Sequence, residues 1–235
     1  KSLSQNGNAL MNKESPHKRV WEQMSGTQKF TFFGNISSIY ASNIRHKRAY
    51  LNFDLHCNNG VINIKLAMIG LHQIDNALAA AACANELGVS LPLIKEGLEK
   101  TTTEKGRLEL LESDRFTILD DSYNANPHSM KAAIDTLQSF SGEKIAVLGS
   151  MAELGANSRE LHQEIGEYVS QAGLDKLYTF GEDSKHYNGE LFPDIESLYN
   201  QLNECHSGAT ILIKGSRMMK LDGLVDILSK TSISS

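Results

Sequence analysis

The sequence predicts an α/β protein in two units, a strand-rich segment over residues 1–106 and a Rossmann-like, mostly parallel open sheet over residues 107–235. Three observations predict it. β-Branched and aromatic residues gather in short runs as far as Ile69, and after Arg107 apolar strands alternate with amphipathic helices. At 235 residues, the chain also exceeds the roughly 100–150 residues typical of one core.

In chain order, residues 30–33, 49–57 and 61–69 read as strands. Asn59-Gly60 stands between the last two and suits the positive φ angles of a tight hairpin, so antiparallel pairing is expected there. An Ala-rich stretch over 74–87, ended by Gly88, predicts a helix with a left-handed stop. A second helix over 92–100 places Pro92 in its first turn, where a missing N–H costs nothing. Polar residues 101–106 are the expected hinge. Beyond it, strands are expected at 116–119, 144–148, 176–180 and 210–213, with helices at 129–139, 158–172, 195–205 and 218–229.

Hydrophobic residues at 40 %, charged residues at 22 % and only 4 Pro exclude a disordered chain. The longest apolar run, 77–84, lies between Asn76 and Asn85 and falls short of the ~20 residues a membrane span requires. Residues 1–12 lack the apolar stretch of a secretory signal, while a Lys start is expected of a chain cut from something longer. Cys57, Cys83 and Cys205 are odd in number and far apart, which argues against a disulfide framework or a zinc site and for a reducing, cytoplasmic setting. The net charge of −5 divides into +6 over residues 1–50 and −11 over the remainder. The basic cluster Arg45-His46-Lys47-Arg48 has no aromatic interleaving and reads as a solvated strand end, so no nucleic-acid partner is expected. No two His share the spacing of a zinc helix, and His72 and His162 read as helix-end or packing residues.

Ligands of open α/β sheets bind beyond the carboxyl ends of the strands. That rule selects four loops, 120–127, 149–155, 181–183 and 214–217. In the first, paired Asp120 and Asp121 suit hydrogen bonds to a ribose or a place near magnesium. Equally, Asp120 or Ser122 starts a turn and Asn126-Pro127 caps the next helix. In the last, Lys214, Ser216 and Arg217 reach the start of a helix, where free N–H groups favour an anion. The alternative is that Lys214 and Arg217 are solvated surface charges. Arg107, beside Gly106 at the expected hinge, is placed to close onto a phosphate or to remain a surface residue. None of the 18 Gly precedes a Lys, so the phosphate-cradling G-x-x-x-x-G-K-[ST] loop is absent from the chain.

Five separated segments carry a resemblance: G-L-H-Q-I-D-N-A-L-A-A from Gly70, G-R-L from Gly106, D-D-S-Y-N-A-N-P from Asp120, G-S-M-A-E-L-G from Gly149 and K-G-S-R from Lys214. In order and spacing they resemble the Mur ligase family, most closely the members that add D-alanyl-D-alanine to UDP-N-acetylmuramoyl-tripeptide. The resemblance implies that residues 1–106 end a central ATPase domain and that 107–235 form the C-terminal domain. It places the family's P-loop, magnesium-binding acids and carbamylated lysine upstream of Lys1. It implies ATP and Mg2+ as cofactors and the muramoyl tripeptide and the dipeptide as partners. A monomer in the cytoplasm, devoted to peptidoglycan precursor synthesis, is the matching expectation.

Residue by residue, the resemblance makes Asn76 the amide on adenine, Arg107 the arginine at the ATP phosphates and Asp121 the acid near the ribose. Tyr123 and Asn126 would line the same cleft. Lys214, Ser216 and Arg217 would meet the dipeptide carboxylate. No catalytic residue and no metal ligand is assigned within the chain, and the chain alone is expected to be inactive. Two positions depart from the family pattern: Gln73 replaces Asn, and Ser150 replaces Asp with loss of a charge. The implied chemistry is an acyl phosphate attacked by the dipeptide amine, assisted by domain closure. A related muramyl or folylpolyglutamate ligase, or a binding module derived from a ligase, are the alternatives.

Overall fold

In the computed structural model, residues 7–24, 29–35 and 37–230 are described. The outer ends of both expected domains, 1–6 and 231–235, lie outside them. The chain forms two compact units, Lys1–Thr102 and Thr103–Ser235.

The first unit contains β1 (Asn8–Asn12), α1 (Lys18–Met24), β2 (Lys29–Phe33), β3 (Tyr40–Lys47), β4 (Tyr50–Cys57), β5 (Gly60–Leu66), α2 (His72–Glu86) and α3 (Leu91–Glu99). β1 and β2 pair in parallel, and β3-β4-β5 form an antiparallel sheet. Strict alternation in β4 turns Leu51, Phe53, Leu55 and Cys57 onto Ile74, Leu78, Ala81 and Ala82 of α2 and onto Ile94 and Leu98 of α3. The expected hairpin is present, but its turn is Asn58-Asn59, one residue early. Neither Asn takes positive φ; Gly60 takes it, at 139°, as the first residue of β5. α2 stops at Gly88, with φ of 78°, where the Val89 N–H returns to the Ala84 carbonyl. β1, α1 and most of β3 are additions to the elements expected from sequence; at the end of β3, Arg45 and Lys47 are exposed, as a solvated strand end should be, whereas His46 is half-buried.

The second unit contains β6 (Glu109–Glu112), β7 (Phe116–Asp121), α4 (Pro127–Gln138), β8 (Lys144–Gly149), α5 (Ser158–Gln171), β9 (Lys176–Phe180), β10 (Glu190–Phe192), α6 (Ile195–Asn203), β11 (Ala209–Lys214) and α7 (Asp222–Ser229). The sheet order is β10-β9-β8-β11-β7-β6, parallel throughout except for β6 at one edge. Ile118, Ile145, Val147, Ile211 and Ile213 face Leu198 and Leu202 of α6 and Leu224, Val225 and Leu228 of α7. Their neighbours Leu119, Ala146, Leu148 and Leu212 are buried on the other face, where α4 packs on β8 and β11. β7, β8 and β11 are therefore near-continuous apolar runs, as expected of strands covered on both sides. The helix expected from Met218 begins at Asp222, because 217–219 form a single 3-10 turn that ends on Lys220 in the left-handed region, with φ of 50°.

β11, last in the chain, lies between β7 and β8. The loops that follow these three strands therefore stand side by side at one end of the sheet.

Candidate active-site cleft

Lys214 ends β11 with its side chain only 2 % exposed, so it is not a solvated surface charge. Its Nζ donates to Asp121 Oδ2 at 2.6 Å and to the Asn124 carbonyl at 2.9 Å. A residue expected at the nucleotide and one expected at the dipeptide are thus a single ion pair tying the β7 loop to the β11 loop. Burial is the largest influence on Asp121 and holds its carboxyl above the ordinary aspartate value, against the Lys214 ammonium and the Leu108 N–H, which pull it down.

Asp120, fully buried, accepts through Oδ1 from the Ser122 N–H at 3.1 Å and the Ser122 hydroxyl at 2.6 Å; its Oδ2 has no partner. The capping alternative is realised at Asn126. Its Oδ1 accepts from the Ser129 N–H at 2.9 Å and Ser129 Oγ accepts from the Asn126 N–H at 3.1 Å, which starts α4 with Pro127 in its first turn.

Tyr123 is exposed and lies between two arginines: the guanidinium carbon of Arg107 is 4.3 Å from the ring centroid and that of Arg217 is 5.6 Å. Gly106, at φ of 76°, lets the chain pass close enough for its carbonyl to accept from the Tyr123 N–H at 3.0 Å; a Cβ there would meet that nitrogen at 3.2 Å. This close approach is what places Arg107 at the Tyr123 ring. Both arginines are otherwise lightly engaged, Arg107 with Glu104 at 3.4 Å and Arg217 with Asp222 at 4.0 Å.

The loop after β8 is held from beneath. His162 on α5 is fully buried: its Nε2 accepts from the Met151 N–H at 2.9 Å, and its Nδ1 donates to the Ser158 carbonyl at 2.7 Å. Stacking on Tyr187 fixes the ring further. The packing role expected of His162 is what it performs. Ser150, at the departure from the family pattern, is a stitch between loops: its Oγ accepts from the Ser184 N–H at 3.0 Å and its carbonyl from the Ser216 N–H at 3.0 Å. Two glycines permit that join, since a Cβ on Gly215 would lie 3.0 Å from the Cα of Gly149.

Between these loops opens a cleft of about 310 Å³ lined by Tyr123, Asn124, Ala152, Glu153, Ser216, Arg217 and Met218. Ser216 is 1 % exposed and its hydroxyl has no hydrogen-bond partner, a donor unsatisfied within the protein. Glu153 lines the cleft from a left-handed backbone conformation, with φ of 62°. Sequence reasoning named Glu153 only as a member of its loop, since Glu is not a turn-former and nothing local signals its φ. Asn76 belongs to the first unit, exposed on α2, where its amide donates to Gln73 Oε1 at 2.9 Å. Among the described residues no group of three or more His, Cys, Asp or Glu is placed to hold a metal ion, and no helix is long and apolar enough to cross a membrane.

An open, mostly parallel sheet with a cleft at the carboxyl ends of three central strands defines a Rossmann-like α/β domain. Residues 106–217 match the model of the Mur ligase, glutamate ligase domain, and residues 1–84 match that of the Mur ligase middle domain. The chain belongs to the Mur ligase family. It is similar to the UDP-N-acetylmuramoyl-tripeptide–D-alanyl-D-alanine ligase of Haemophilus influenzae, at 35 % identity over 96 % of this chain and 52 % of that protein. The ligase of the same name from Escherichia coli is also 35 % identical, over 97 % of this chain and 53 % of its own length. A crystal structure of MurF from Acinetobacter baumannii superposes with a TM-score of 0.90 at 29 % identity, covering 97 % of this chain and 52 % of that one. The chain thus spans about half the length of the curated relatives it matches.

Proposed function

We propose that this chain is the amine-receiving part of an ATP-dependent ligase that joins D-alanyl-D-alanine to UDP-N-acetylmuramoyl-tripeptide in peptidoglycan precursor synthesis. The observation that carries the reading is the cleft itself. An exposed Arg217 and an unpartnered, buried Ser216 hydroxyl face a cavity large enough for a dipeptide, in a chain similar along nearly its whole length to UDP-N-acetylmuramoyl-tripeptide–D-alanyl-D-alanine ligases.

The reaction runs in two steps. The tripeptide carboxylate takes the γ-phosphoryl group of ATP, releasing ADP; the dipeptide amine then attacks the acyl carbon, the peptide bond forms and phosphate leaves. The chain's part is positioning. Arg217 and Ser216 hold the dipeptide carboxylate, and Lys214 acts from behind by fixing Asp121 and the β7 loop. Arg107, exposed and only weakly paired, suits the phosphates, with Tyr123 supporting its guanidinium and Asp121 and Asn126 on the nucleotide's side. Asn76, on the first unit, is the amide proposed for adenine. The described carboxylates do not converge as a magnesium site requires, so no step is assigned to Mg2+ through these residues.

Because no Gly-Lys phosphate cradle is present, the chain alone should release no phosphate from ATP. A cytoplasmic monomer is the setting proposed for the complete enzyme. The test is phosphate release by the protein expressed from the whole reading frame that contains this chain, with the amine varied. Release that requires D-alanyl-D-alanine supports the reading. Release driven by glutamate or a diamino acid would reassign it to a related ligase, and turnover by the chain alone would contradict it.

A further inference from the structure

Glu153 is in an unusual position. Its φ of 62° is one that L residues seldom adopt, and Gly155, two residues on, takes the same φ without strain. An acidic side chain held this way at the mouth of a cleft invites a functional explanation. Among the described residues, no hydrogen bond or ion pair engages the Glu153 carboxylate, although Arg217 lines the same cavity. The two opposite charges therefore face the cleft without neutralising each other. The two loops that carry them are joined, because Gly149 and Gly215 touch, Ser150 accepts from the Ser216 N–H, and His162 holds Met151.

Such a cleft is complementary to a small zwitterion. An anion would meet Arg217 and the free Ser216 hydroxyl, while a cation would meet the Glu153 carboxylate, which forms no ion pair with that guanidinium. Resting on the ligase reading above, we propose that Glu153 receives the ammonium group of the incoming dipeptide. It thereby selects amines with a free N-terminus and sets the direction from which the nitrogen enters. Glu153 is a specificity-determining contact, distinct from the residues assigned to the carboxylate.

The test is calorimetric titration of this chain with D-alanyl-D-alanine, N-acetyl-D-alanyl-D-alanine and D-alanyl-D-alanine amide, using wild type, Glu153→Gln and Arg217→Gln. A charge-assisted contact predicts that N-acetylation weakens binding to wild type about 10-fold or more. Glu153→Gln should bind the parent dipeptide about 10-fold more weakly and no longer distinguish it from the N-acetyl form. Arg217→Gln should lose the preference for acid over amide yet keep the N-acetyl penalty. Circular dichroism melts confirm that each variant is folded; Glu153→Gln keeps the same backbone demand and should melt with wild type. If wild type binds the N-acetyl dipeptide as well as the parent, or Glu153→Gln retains the penalty, the inference falls and the ligase reading stands. If a folded wild-type chain binds no dipeptide at all, both fall.

Discussion

Replacing Lys214 with Met should destabilise the second unit more than any other single change at the cleft. Two unit charges 2.6 Å apart at an effective dielectric of about 20 attract by roughly 6 kcal/mol, most of it offset by the cost of taking both groups out of water. The pair is worth little net, but deleting one member leaves the other stranded. With Lys214 2 % exposed and Asp121 17 %, the predicted loss for Lys214→Met is about 3–5 kcal/mol. The double variant Lys214→Met/Asp121→Leu should recover most of it, because neither member of the pair is then left without the other.

The pH dependence has a definite sign. Burial already raises the Asp121 carboxyl, and removing Lys214 takes away its chief opposing influence. A carboxyl whose folded pKa lies above its unfolded value stabilises the fold below the unfolded pKa, and that stability is lost as pH rises through the folded one. The Lys214→Met deficit should therefore be largest at neutral pH and shrink towards the carboxylate range. Urea unfolding followed by circular dichroism at several pH values measures both effects. A deficit under about 1 kcal/mol, or one independent of pH, would refute the reasoning and return Lys214 to the pool of groups free for substrate.

Gly166→Ala should cost about 1–3 kcal/mol despite Ala's better helix propensity, because its Cβ would lie 2.7 Å from the His186 carbonyl oxygen and 2.9 Å from the Tyr187 Cα; chemical denaturation reports it. Glu153→Gly should raise stability by about 1 kcal/mol in the same assay by relieving the positive φ, while abolishing the preference for a free dipeptide amine. Hydrogen bonds from Thr31 and Asn8 hold the Glu86 carboxyl below the ordinary glutamate range. Stability from Glu86 should therefore be present above the unfolded pKa of about 4.3 and be lost as pH falls from there through the lower folded value. Thermal melts of wild type and Glu86→Gln should accordingly differ at pH 7 and converge as pH falls through the depressed folded-state value.

Much of this architecture was legible because its signals are local. The period-two pattern of β4, the Ala-rich face of α2 and the apolar runs of β7, β8, β9 and β11 each commit a segment before any tertiary contact forms. Missed elements lacked such patterns. β10 has three residues, β6 is a four-residue edge strand with Glu at both ends, and none of α1's residues is buried, so no apolar stripe marks it. The hairpin turn was displaced because the one residue that needs positive φ, Gly60, serves as the first strand residue instead of a turn centre.

Within the site, residue types and loops could be read from the sequence, but partnerships could not. That Lys214 would be consumed by Asp121, across 93 residues of chain, follows only from β11 inserting beside β7. The left-handed Glu153 and the orphaned Ser216 hydroxyl are likewise products of how two loops meet.

The most direct test of the cleft as the amine site is to titrate D-alanyl-D-alanine into isotope-labelled chain and follow backbone amide shifts. The account predicts perturbations concentrated at Tyr123, Asn124, Ala152, Glu153, Ser216, Arg217 and Met218, the residues that line the cavity, together with Gly215. Perturbations confined to the first unit, or at the β9–β10 edge around Leu191, would contradict it.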